Sequence, residues 1–137
     1  MSLVLDSSVA LTWCFEDERT LATLALLDQI TETGATAPAL WPLEVLNALT
    51  MAERRGRLDG TQRHQLAGFL RDLPVSLDQE TADQAWTITM RLAERYRLTL
   101  YDAAYLELAQ RLELPLATLD QELRAAGNAL GITLLGS

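Results

Sequence analysis

Asp6, Glu44, Asp102 and Asp120 are the residues of this chain whose types and placement best suit chemistry. Carboxylates serve as general acids and bases, and they are hard oxygen ligands for Mg²⁺ or Mn²⁺. Hydroxyls accompany two of them: Ser8 lies two residues after Asp6, and Thr118 two residues before Asp120. Asn47 follows Glu44 by one turn on the same face of a predicted helix. Each acid alone also suits a helix start, where unpaired N–H groups and the positive end of the macrodipole favour negative charge. Thr99-x-x-Asp102 and Thr118-x-x-Gln121 both read as capping boxes. Capping does not explain four acids brought to one place, because they repel one another. A divalent cation removes that conflict. It takes one or two carboxylates directly, leaves others to orient its waters, lowers the pKa of a bound water and neutralises charge developing on a phosphodiester. The chemistry suggested is hydrolysis of phosphate esters.

The elements that must position these acids alternate in type. Leu3-Val4-Leu5 reads as a strand, and Asp6-Ser7-Ser8 opens a helical stretch to about Phe15. A helix over 19–33 stops at Gly34, and Ala35-Thr36-Ala37 is a short strand before Pro38. Pro42 suits the first turn of a helix over 43–55, and another helix covers 60–70. Pro74-Val75-Ser76-Leu77 is a brief strand. A long helix is predicted over 79–97, with Ala82, Ala85, Trp86, Thr89, Leu92, Ala93 and Tyr96 on one inward face. A helix over 101–112, a strand over 115–118, a helix over 120–126 and a strand over 132–135 complete the chain. Strands alternating with helices predict an α/β fold with a mostly parallel sheet. In such sheets the strand C-terminal ends and the following helix N-termini share one edge, where ligands bind at the switch in strand order. All four acids fall at positions that this fold brings toward that edge.

The chain has 137 residues, which fits one domain over 1–137, and no internal repeat or linker interrupts it. Eleven Arg, with no Lys at all, oppose nineteen Asp plus Glu, for a net charge of −8. So acidic a surface repels nucleic acid unless cations or a local Arg cluster reverse the sign. Cys14 stands alone, which excludes an intrachain disulfide and a cysteine zinc site. His64 is the single histidine, so HExxH zinc sites are excluded as well. No GxG occurs among the seven glycines, and a Walker P-loop requires the missing Lys. No apolar run approaches the roughly eighteen residues of a membrane span. The first residues lack a basic region, so a cytoplasmic protein is expected.

Leu3-Val4-Leu5-Asp6-Ser7-Ser8-Val9-Ala10 and Pro42-Leu43-Glu44-Val45-Leu46-Asn47-Ala48-Leu49 resemble PIN-domain ribonucleases, especially VapC-like toxins of toxin–antitoxin pairs. Leu100-Tyr101-Asp102-Ala103-Ala104-Tyr105-Leu106-Glu107-Leu108-Ala109 is the most telling segment, and Leu116-Ala117-Thr118-Leu119-Asp120 completes the series. The similarity runs from residue 3 to about 135. It matches Asp6, Glu44, Asp102 and Asp120 to the family's acids in order, Ser8 and Thr118 to its accessory hydroxyls, and Asn47 to its polar helix position. The resemblance implies a three-layer α/β/α sandwich, a homodimer, bound Mg²⁺ or Mn²⁺, cleavage of RNA, and a small antitoxin partner. Two other readings share these residues: a non-catalytic PIN-like interaction module with a structural metal, and a solitary RNA-processing nuclease. A receiver or a haloacid-dehalogenase-like phosphatase would, by its own family pattern, need a Lys.

Other residues carry a functional and a plain reading side by side. Arg54, Arg55 and Arg57, or Arg91, Arg95 and Arg97, suit RNA phosphates, and equally a solvated face or a helix C-terminus. Trp13 and Trp41 flank segments near the acids, where they suit base stacking or the core; Trp86 is assigned to the core. His64 is expected to be exposed, Cys14 buried and inert, and Glu16-Asp17-Glu18 a solvated loop.

Overall fold

The computed structural model describes residues 2–137. The strand Leu3-Val4-Leu5 is apolar on both faces, and all three residues are fully buried. A strand of that kind belongs in the middle of a parallel sheet covered on both sides. There it lies: β1 (Val4–Leu5) pairs in parallel with β2 (Ala35–Pro38) and with β4 (Leu116–Ala117). With β3 (Val75–Asp78) and β5 (Leu134–Leu135) the five-stranded sheet has the order β3-β2-β1-β4-β5, every pair parallel. The chain moves outward from β1 through β2 to β3, then returns to the other side for β4 and β5. The switch in direction falls between β1 and β4, where such sheets open a crevice beyond their carboxyl ends. Helices flank the sheet, which is the α/β/α sandwich expected from the sequence.

α1 (Ser7–Thr12) starts directly after Asp6 and is shorter than the predicted stretch to Phe15. A 3₁₀ turn at Glu16–Glu18 follows, exposed as expected, and Arg57 pairs with Asp17 and Glu18 at 3.2 Å each. α2 (Leu21–Thr33) begins with a reciprocal capping box between Thr20 and Thr23. It ends at Gly34, whose φ of 77° is the left-handed region that glycine tolerates. α3 (Trp41–Arg54) carries Pro42 in its first turn, and α4 (Gly60–Asp72) is capped by Asp59 and Gln62. α7 (Leu100–Leu112) is capped by Thr99, and α8 (Gln121–Ala129) by Asp120 rather than by Thr118.

The predicted helix over 79–97 is interrupted. It consists of α5 (Thr81–Gln84), a π turn at Ala85–Thr89 and α6 (Met90–Tyr96). Thr89 and Leu92 keep the inward face, but Trp86 is 80 % exposed and not part of the core. The wider i→i+5 turn explains the error, because more residues are needed per revolution and Trp86 is carried off the inward stripe. Trp13 and Trp41 are correspondingly buried, which removes both from base stacking; Trp13 donates its indole N–H to the Thr23 carbonyl at 2.8 Å. Cys14 is buried and its thiol pKa is pushed up to about 11 by desolvation, as suits an inert thiol. His64 is exposed. Among the described residues no helix is long and apolar enough to cross a membrane.

Candidate active site at the sheet edge

Asp6 occupies the N-cap position of α1, yet its side chain makes no capping hydrogen bond. Its carboxylate instead accepts two hydroxyl donors on one oxygen: Ser8 Oγ at 2.6 Å and Thr118 Oγ1 at 2.8 Å from Oδ2. These donors are themselves fixed. Leu119 N–H donates to Ser8 Oγ at 3.0 Å, and Asp120 N–H donates to Thr118 Oγ1 at 3.1 Å. Below them Asp6 N–H donates to the Ala117 carbonyl at 3.0 Å, a continuation of the β1–β4 pairing. Two strand ends distant in sequence are thus tied across the switch point. Burial raises the Asp6 pKa, an effect opposed by the two hydroxyls and reinforced by the charge of Asp120.

Glu44 comes from the first turn of α3 and receives a hydrogen bond from the Tyr105 hydroxyl, 2.5 Å from Oε1. Its pKa is raised by desolvation first, then by the charges of Asp6 and Asp102, against the hydroxyls of Tyr105 and Ser7. Asp102 lies in the first turn of α7, its N–H donating to Thr99 Oγ1 at 3.1 Å. Desolvation, then the charges of Asp120 and Asp6, push its carboxyl up to about 6. Asp120 accepts the Leu123 N–H at 2.9 Å and so caps α8 while sharing this field. The structure therefore brings all four acids into one electrostatic neighbourhood.

No cation among the described residues answers them. Among the described residues none of the four forms an ion pair. The largest influences on Asp6, Glu44 and Asp102 include no positive charge. Arg124, one turn beyond Asp120, directs Nη1 to the carbonyls of Thr118 and Leu135 at 2.7 and 3.1 Å instead. Asn47 is exposed on α3, one turn after Glu44. Two contributors were missed from sequence, the hydroxyls of Tyr105 and Ser7. Tyr105 was legible as a core residue of α7, and it is fully buried. The available signal was that a phenol inside an apolar stripe needs a partner for its O–H.

The donor set is hard oxygen only, which fits Mg²⁺ or Mn²⁺ and excludes soft-metal chemistry. Among the described residues no group of three His, Cys, Asp or Glu side chains that could hold a metal ion stands preassembled. Mg²⁺ in general takes one or two carboxylates directly and keeps several waters.

A five-stranded parallel sheet with carboxylates at its switch point defines the class: an α/β domain whose acids share one field without an ion pair among the described residues. The PIN domain family model matches residues 3–129, and the chain belongs to that family. PIN domains are generally nucleases that use divalent metal ions. No curated protein gives a significant match to the chain. Among solved structures, PAE2754 from Pyrobaculum aerophilum is similar at 24 % identity and a TM-score of 0.70, covering 98 % of this chain and 83 % of that one. FitAcB from Neisseria gonorrhoeae is similar at 16 % identity and a TM-score of 0.66, covering 99 % and 97 %. VapBC2 from Rickettsia felis, a structure bound to a DNA fragment from the promoter, is similar at 9 % identity and a TM-score of 0.64, covering 99 % and 98 %. At these identities the likeness is one of fold.

Proposed function

We propose that the chain is a divalent-metal-dependent endoribonuclease acting as the toxin of a toxin–antitoxin pair. The observation that carries the nuclease reading is the fixed Asp6 carboxylate within a field of three further acids and no ion pair. A purely structural cluster gains nothing from that arrangement. Asp6, Glu44 and Asp102 would hold Mg²⁺ or Mn²⁺, with Asp120 assisting. When bound, the ion supplies Lewis-acid activation of water and neutralises charge developing on the phosphodiester. The chain's own groups orient the site. Ser8 and Thr118 hold Asp6 through Oδ2. Tyr105, whose pKa is raised by burial and neighbouring acids, stays a hydroxyl donor and fixes the rotamer of Glu44. Asn47 offers a neutral amide at the outer side of α3 for the RNA backbone.

The toxin half rests on the VapC-like motifs in the sequence and on the fold shared with FitAcB and VapBC2. It carries three further elements: a small antitoxin whose C-terminal segment covers the acids, assembly as a homodimer, and a cytoplasmic setting in which Cys14 remains a thiol. The test is incubation of purified protein with structured and unstructured RNAs in Mg²⁺, Mn²⁺ or EDTA. Cleavage to 5′-phosphate and 3′-hydroxyl ends is expected with metal alone, and cleavage that persists in EDTA overturns the mechanism. Co-expression with a small protein encoded beside the gene tests the pairing. Copurification with loss of cleavage supports it, and indifference leaves a nuclease without the toxin role.

A further inference from the structure

We infer that Arg124 is a positioning residue of the acidic site: it holds the backbone of Thr118 and, through the Thr118 hydroxyl, sets where Asp6 and Asp120 stand. The inference rests on the reading of these acids as a metal-organising set. Arg124 lies on α8 one turn after Asp120, its own N–H donating to the Asp120 carbonyl at 2.9 Å. This is the N-terminal end of the helix, where the macrodipole disfavours a cation. Carboxylates stand close by in sequence, since Asp120 caps the helix and Glu122 belongs to its first turn. Among the described residues Arg124 makes an ion pair with neither. Its Nη1 donates instead to two main-chain oxygens, the Thr118 carbonyl at 2.7 Å and the Leu135 carbonyl at 3.1 Å.

The choice of those oxygens follows from the ends of the strands. β4 and β5 are two residues long, and Thr118 comes directly after β4. Its N–H still donates to the Leu135 carbonyl at 3.1 Å, one rung beyond the strands. Thr118 is fully buried, so no water reaches its carbonyl, and a buried carbonyl requires a donor. Arg124 supplies one, and a charged donor makes a stronger tie than a neutral one. Gly136 packs against the same oxygen. Its φ is 115°, and a Cβ built there would stand 3.3 Å from the Thr118 carbonyl oxygen, an approach that glycine permits.

While its carbonyl is held in this way, the Thr118 hydroxyl serves the acids. Oγ1 donates to Asp6 Oδ2 at 2.8 Å and accepts the Asp120 N–H at 3.1 Å. The hydrogen bonds form a ring, from the Asp120 carbonyl through Arg124 and Thr118 back to the Asp120 N–H. The start of α8 and the end of β4 therefore move as one piece, and Nη1 fixes that piece against β5. Without the guanidinium the ring opens. Thr118 is then free to shift, Asp6 keeps only Ser8 as a fixed hydroxyl donor, and the spacing of Asp6 and Asp120 loosens.

Arg124→Met keeps an aliphatic stem and removes the donors, and Arg124→Lys returns a charged donor. Amide hydrogen exchange of the whole protein in EDTA reads the tie without metal or RNA. In Arg124→Met the amides of Leu119 and Asp120, which donate to Ser8 Oγ and Thr118 Oγ1, should exchange about tenfold faster or more, while those of α2 keep the parent rates. Arg124→Lys should restore most of the protection. Mn²⁺ affinity, read from the electron paramagnetic resonance of the free ion, should fall about tenfold in Arg124→Met and less in Arg124→Lys. Thr118→Val removes the hydroxyl and keeps the carbonyl. On that background Arg124→Met should weaken Mn²⁺ binding by less than about a further twofold, because both changes act on one path. In RNA cleavage at saturating Mn²⁺ the loss should fall on kcat, with KM within about twofold of the parent. Unchanged exchange at Leu119 and Asp120 overturns the inference, as do equal acceleration at every amide and fully additive losses of Mn²⁺ affinity. A parent that cleaves no RNA counts against the nuclease reading alone, and exchange and Mn²⁺ binding still decide the role of Arg124.

Discussion

Two regions of this molecule gather carboxylates, and they treat them in opposite ways. In one, Arg111 of α7 donates to Asp78 at 2.7 Å, to Glu80 at 3.1 Å and to Glu107 at 2.8 Å. Glu107 is buried and Asp78 nearly so, and these acids hold the guanidinium pKa above its ordinary value. In the other, Asp6, Glu44, Asp102 and Asp120 share one field, and among the described residues their carboxylates have hydroxyls and backbone N–H groups as donors. The fold can supply an arginine to a knot of acids, and at the sheet edge it does not. Neutralised acids tie β3 to α7; uncompensated ones keep a field available for a ligand.

The contrast breaks first at Arg111. Arg111→Met should destabilise the protein by about 3–5 kcal/mol, because it leaves Glu107 buried without its counter-charge. Urea unfolding reads this, and a loss under 1 kcal/mol would show that the knot is not a structural tie. At the other cluster the same kind of deletion should cost activity instead. Asp6→Asn keeps an acceptor for Ser8 and Thr118, and should lower RNA cleavage roughly a hundredfold or more, since a charge clamp is worth several kcal/mol in the transition state. Full cleavage by the Asn variant would remove Asp6 from the site.

Metal sharpens the comparison. Mg²⁺ at about 100 times its dissociation constant should stabilise the parent by roughly 2.7 kcal/mol. Thermal melts in Mg²⁺ and EDTA should show that shift retained on the Arg111→Met background and mostly lost in Asp6→Asn. Equal shifts in both variants would detach the metal from the acids. The smallest effect is the pH dependence of the metal-free protein. Asp102 has a folded pKa raised to about 6, so its contribution to stability is fully present below its unfolded pKa of about 4 and lost as pH rises through about 6. Unfolding in EDTA between pH 4 and 7 should show that decline, and Asp102→Asn should flatten it. A parent profile that rises across this range would contradict the sign.

Much of this contrast is legible in the sequence, but unevenly. The parallel sheet and the placement of the four acids followed from apolar runs ending in acids, because strand burial and helix entry are local in sequence. The role of Asp6 could not be separated from capping in the same way. Only the fold shows that its oxygen accepts from Thr118, a residue from another strand. Trp86 was misplaced because periodicity assumes an unbroken α-helix, and a π turn leaves the same spacing of apolar residues. The Arg111 knot went unseen: its i,i+4 pair with Glu107 is local, but Asp78 and Glu80 come from β3 and the turn after it.

The hydrogen bond between Thr118 and Asp6 closes 112 residues of chain. Translation delivers Asp6 first and its second hydroxyl only 112 residues later. β1 waits equally long for β4, its neighbour on one side, while β2 on the other side arrives early. A ribosome-bound fragment can therefore form one half of the sheet with Asp6 at an open edge, held by Ser8 alone. The carboxylate fixed by two hydroxyls exists only once β4 and Thr118 have been made, so the field around it is timed by the order of the chain itself.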